Sequence, residues 1–123
     1  SRATLPEITA YKTRMGWDFP WYSSADSSFN FDMGASFTAA EIATGERLYN
    51  YQTQLPHGDE SPGMSIFIKD ADDRVFLTYQ TFSRGLDMLN GTYHMLDLTP
   101  KGRDEDELPW GMAWLQRHDQ YPT

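Results

Sequence analysis

Residues 64–69, Met64-Ser65-Ile66-Phe67-Ile68-Lys69, and residues 75–81, Val75-Phe76-Leu77-Thr78-Tyr79-Gln80-Thr81, flank the polar tip Asp70-Ala71-Asp72-Asp73. Two runs rich in β-branched and aromatic side chains around such a tip predict an antiparallel hairpin. Alternation puts Met64, Ile66 and Ile68 on one face with Phe67 on the other, and Val75, Leu77 and Tyr79 opposite Phe76. Large apolar groups on both faces predict a hairpin covered on both sides by helices or loops.

Helical signals lie on either side of it. Leu5, Ile8, Tyr11 and Met15 recur at helical spacing, with Pro6 in the first turn and Gly16 just past the end, which predicts a helix over residues 5–15. Thr38 and Glu41 have the spacing of a capping box, so a short helix over 39–44 ends at Gly45. Leu86, Leu89, Tyr93 and Leu96 predict a further helix stopped by Thr99-Pro100, and Pro109 opens a tail, residues 109–121, expected to dock as a last helix. Residues 19–23 are short and aromatic and predict a buried strand with Pro20 at its start or at a sheet edge, while 48–52 predict a brief one. Residues 23–28, and residues 55–63 with their two prolines and two glycines, are loops.

The chain has 123 residues, which fits one domain, with no internal repeat and no linker. Eighteen acids against ten bases give a net charge of −8, a balance unsuited to neutralising phosphates, so nucleic acid is not an expected partner. Four Trp, seven Tyr and seven Phe supply apolar bulk for a core and argue against disorder. No apolar run reaches the ~18 residues that span a bilayer, and Ser1-Arg2-Ala3 does not begin a signal peptide, so a cytoplasmic protein without membrane contact is expected. Absence of cysteine removes disulfides, thiolate metal sites and any thiol nucleophile from these residues. No cofactor motif stands in their place.

Other chemistry-bearing patterns have plain structural alternatives. The Asp70 tip lacks the glycine and glutamate that a calcium loop needs at its sixth and twelfth positions, where Val75 and Thr81 stand. Asp104-Glu105-Asp106-Glu107 fits a solvated or helix-capping run. His57, His94 and His118 have no metal-ligand spacing; His94 and Asp97 at i and i+3 fit an exposed helix pair. Trp17, Trp21, Trp110 and Trp114 could build a sugar-stacking or partner-binding platform, or pack inside. Asn90-Gly91-Thr92 fits the glycosylation pattern but falls within an expected helix.

Five ordered blocks extend over nearly the whole chain: residues 16–21, 29–32, 84–91, 97–106 and 108–119, the first being Gly16-Trp17-Asp18-Phe19-Pro20-Trp21 and the third beginning Arg84-Gly85-Leu86-Asp87. Together they resemble a bacterial thioredoxin-like family of unknown function. Phe19-Pro20 with its polar loop, and the strand, acidic turn and strand over 65–75, are similar to segments of peroxiredoxins. The resemblance implies an α/β, thioredoxin-like fold: a partial domain with an antiparallel hairpin and flanking helices. For full-length members it implies a thiol-disulfide oxidoreductase or peroxiredoxin-like role on a protein or peptide thiol substrate. In such members the cysteines lie upstream of Ser1, so residues 1–123 would be a single thioredoxin-like domain lacking that segment, inert in thiol exchange alone and without a catalytic residue.

Pro62 matches the position where thioredoxin folds keep a cis-proline, which makes Ser61 and Pro62 the candidate substrate-binding residues. A cis bond there would expose backbone groups to an extended peptide; an ordinary trans turn proline is the alternative. The resemblance also places two upstream strands between the 19–23 segment and the hairpin. Their absence implies a homo-oligomer that completes its sheets, or a segment preceding Ser1. The alternative function is a noncatalytic binding module using its aromatic surface.

Overall fold

Glu7 accepts hydrogen bonds from both the N–H (2.8 Å) and the hydroxyl (2.7 Å) of Thr4, fixing the first turn of helix α1, Leu5–Met15. At the other end Gly16 takes φ 65°, its N–H reaches Thr13 O, and Trp17 N–H reaches Lys12 O. These two crossed bonds satisfy carbonyls that a helix end otherwise leaves open. Described residues of this computed structural model are 1–54 and 58–122. The part of the expected 55–63 loop formed by residues 55–57, including His57, lies outside them.

A short helix α2, Phe29–Asp32, precedes α3, Ala39–Thr44. In α3 the expected capping box is present: Glu41 N–H donates to Thr38 Oγ1 at 3.2 Å, and Thr38 N–H donates to Glu41 Oε2 at 2.7 Å. Gly45, φ 69°, ends it. Strands β1, Arg47–Tyr49, and β2, Gln52–Gln54, then pair antiparallel. Asn50 and Tyr51 both have positive φ, the geometry of a two-residue hairpin turn, so the strand expected over 48–52 is split at its middle.

Strands β3, Gly63–Lys69, and β4, Val75–Phe82, form the expected hairpin, with a register shift between Ile66 and Phe67. Asp70 organises its tip by accepting from the N–H of Asp72 (2.9 Å) and of Arg74 (3.0 Å). The expected covering layers are absent among the described residues. Seven apolar side chains of the hairpin, from Phe67 at 40% to Val75 at 63%, are exposed on its two faces. Each hairpin is a separate two-stranded sheet, which makes the architecture mixed α/β with two small ribbons.

The expected strand at 19–23 is also absent: among the described residues this segment pairs with no strand. Pro20 has no donor to give a ladder, and local partners take the polar groups instead. Lys12 Nζ donates to Phe19 O, and Ser23 Oγ donates to Ala3 O. A 3₁₀ segment, Ser83–Leu89, leads to α4, Gly91–Asp97, so the expected helix through Leu86 and Leu96 is broken. Asn90 causes the break; its side chain accepts from Tyr93 N–H and caps α4. The tail forms turns rather than a helix, and Arg14 clamps it to α1 through a two-pronged bond to Asp119 at 2.6 and 2.9 Å. No described helix is long and apolar enough to cross a membrane.

The core sits where the two ribbons meet. Phe37, Tyr49 and Phe82 are buried together, with Tyr49 edge-on to Phe37 (6.1 Å) and to Phe82 (5.3 Å), and Ile42 of α3 packed against them. Aromatic pairs in this geometry add to simple area burial.

Candidate functional site

At the start of β3 a cleft of about 600 Å3 is lined on one side by Ser61, Pro62, Gly63 and Ser65, and on the other by residues of α2 and the loop after it. Backbone bonds fix this floor: Ser61 N–H donates to Ala35 O at 2.9 Å, and Phe37 N–H to Asp59 O at 2.9 Å. Pro62 O accepts from the Tyr49 hydroxyl at 2.7 Å. A Cβ on Gly63 would lie 2.9 Å from the ring of buried Phe82, so this close approach requires glycine. Phe29 and Phe67, with rings 6.4 Å apart, form an apolar wall.

Behind the floor lies a buried charge. Arg47 is 2% exposed; its guanidinium stands 4.5 Å from the Phe37 ring centre and donates from Nη1 to Ser61 Oγ at 3.0 Å. On the cleft surface Glu60 accepts from Ser36 Oγ at 3.2 Å and lies 3.8 Å from Arg2 Nε.

Two other clusters lie apart from the cleft. Tyr11, Trp17, Phe19 and Trp21 gather beside α1 with successive rings 5.2 to 6.1 Å apart. In the C-terminal part, Glu105 Oε1 accepts from Tyr93 Oη (2.8 Å), Met112 N–H (2.8 Å) and Trp114 Nε1 (2.7 Å). Desolvation would raise the Glu105 pKa, but these three donors outweigh it and hold it below the ordinary glutamate value. Tyr93 is pushed up by desolvation and by Glu105. Arg103 lies over the Tyr93 ring at 3.8 Å and pairs with Asp97 (2.7 Å) and Asp87 (3.0 Å), which raise its pKa.

Residues 1–121 match the family described as bacterial protein of unknown function (DUF899). The chain belongs to the DUF899 family. No curated protein and no solved structure matches it.

In this DUF899 chain Ser61 and Pro62 lie side by side in the cleft, but the peptide bond between them is trans, because no described bond is cis. The cis expectation is therefore corrected, and the Pro62 carbonyl accepts from Tyr49. The four tryptophans do not form one platform: Trp17 joins Trp21, whereas Trp114 binds Glu105 and Trp110 is 67% exposed. Asp97 is held through both oxygens by Arg103. Among the described residues no group of three His, Asp or Glu side chains is placed to hold a metal ion.

Three organising residues escape sequence reasoning: Arg47, Tyr49 and Glu105. For the first two a signal existed. Arg47 and Tyr49 share one face of β1 at i and i+2, and both are buried. Glu105 is hidden inside an acidic run whose other members look the same in sequence.

Proposed function

We propose that this chain is the substrate-contacting part of a thioredoxin-like domain, binding an extended peptide along Ser61, Pro62 and the start of β3. The supporting observation is the coincidence of three features at one place: the cleft, the Ser61-Pro62 floor, and a β3 strand that among the described residues pairs with β4 alone. An edge strand offers unpaired N–H and C=O groups to an incoming peptide, and alternate side-chain pockets give selectivity. The peptide's thiol or disulfide would react with cysteines that these residues do not contain, so the part assigned here is binding and orientation. In the same proposal the uncovered faces of the β3–β4 ribbon are completed by further strands, from a second copy or from another segment.

A fluorescein-labelled, S-alkylated insulin B chain, an extended peptide with apolar residues, tests the assignment by fluorescence anisotropy. Saturable binding is expected, abolished by Ser65→Tyr, which fills the cleft, and unaffected by Phe19→Ala. The reverse pattern would move binding to the second reading. That reading, a noncatalytic aromatic module, is favoured by the Trp17, Phe19 and Trp21 rings lying together with Phe19 47% exposed.

A further inference from the structure

Arg47 is a buried cation without a counter-charge among the described ion pairs, and its Nε has no hydrogen-bond partner. Buried charges are ordinarily paired; here the guanidinium faces the Phe37 and Tyr49 rings, and the hydrogen bond it makes to a side chain among the described residues is the one to Ser61. A serine hydroxyl accepts and donates. Ser61 Oγ accepts from Arg47, and its own proton has no acceptor among the described residues. Polarised by the guanidinium, it is a strengthened donor at the cleft wall.

Ser65 repeats the arrangement. Gln80 Nε2 donates to Met33 O at 2.8 Å and to Ser65 Oγ at 3.2 Å, again leaving a hydroxyl proton at the cleft with no acceptor among the described residues. The two serines are four residues apart, about 13 Å at strand rise, which is the repeat of every fourth carbonyl in an extended chain. Glu60 on the same surface shares Arg2 with Asp59, two carboxylates against one guanidinium, and the excess negative charge repels an anion, while Phe29 and Phe67 accept an apolar side chain. Resting on the peptide-binding assignment above, we propose that Arg47 acts through Ser61 to select an uncharged carbonyl acceptor, so that the cleft takes extended, apolar peptide segments and rejects acidic ones.

NMR titration with N-acetyl-phenylalanine methylamide, and with N-acetyl-phenylalanine as its carboxylate counterpart, tests this. The methylamide is expected to shift the Ser61, Gly63 and Ser65 amides saturably and to bind more tightly than the carboxylate. Ser61→Ala should weaken it roughly tenfold, the value of one lost hydrogen bond, and Ser61→Thr should restore it. Arg47→Lys should weaken binding in the wild-type background and add nothing in Ser61→Ala, a coupling that a merely structural role would not produce. Unchanged affinity in Ser61→Ala, additive losses, or a preference for the carboxylate would each overturn the inference while leaving peptide binding intact. No shifts at the cleft would overturn both.

Discussion

The Tyr49 hydroxyl donates to the Pro62 carbonyl at 2.7 Å and accepts from Ser83 N–H at 3.0 Å, so one side chain of the first ribbon holds both the entry to β3 and the exit from β4. Tyr49 is also the middle ring of the core. The floor of the cleft is thus tied to the buried aromatic core of Phe37, Tyr49 and Phe82.

Tyr49→Phe keeps the ring and removes both bonds, leaving a partly buried carbonyl and amide unpaired. The expected loss of stability is about 1–3 kcal/mol. Urea unfolding followed by circular dichroism checks it, and an unchanged midpoint would show that these bonds do not hold the ribbons together.

Glu105 makes stability depend on pH. Its folded pKa lies below the unfolded value of about 4.3, so the unfolded chain takes up the proton first as pH falls. The stabilisation is fully present above that value and disappears as pH drops through the lower folded pKa. Melting temperatures measured from neutral pH to below pH ~4 should therefore fall more steeply for the wild type than for Glu105→Gln, which does not titrate. Parallel curves would remove Glu105 from this role.

How far the sequence spoke depended on the range of the forces involved. The Thr38–Glu41 box, the Gly16 cap and the β3–β4 hairpin were legible because each is settled by neighbours within a few residues. The Leu86–Leu96 periodicity misled because Asn90 gains more as a cap than as a mid-helix residue. The strand expected at 19–23 had the right side chains but no partner, and the covering expected over the hairpin did not form among the described residues. Of the candidate site, Ser61 and Pro62 were named through resemblance, and the structure places both in the cleft. Arg47 was not, since a charged residue in a short strand reads as solvent-facing until its neighbours are placed.

The exposed ribbon should drive self-association. Sedimentation is expected to show masses above the 14.2 kDa monomer that rise with concentration, and Ile68→Lys with Phe76→Lys should return the chain to a monomer. A wild-type chain that stays at monomer mass throughout would contradict sheet completion by a second copy.

Hydrogen exchange tests the central assignment most directly. With S-alkylated insulin B chain present, amides of residues 61–67 should exchange more slowly, as the peptide pairs with β3 and covers the cleft, while residues 17–21 stay unchanged. Unaltered exchange over 61–67, or protection confined to 17–21, would contradict peptide binding at Ser61 and Pro62.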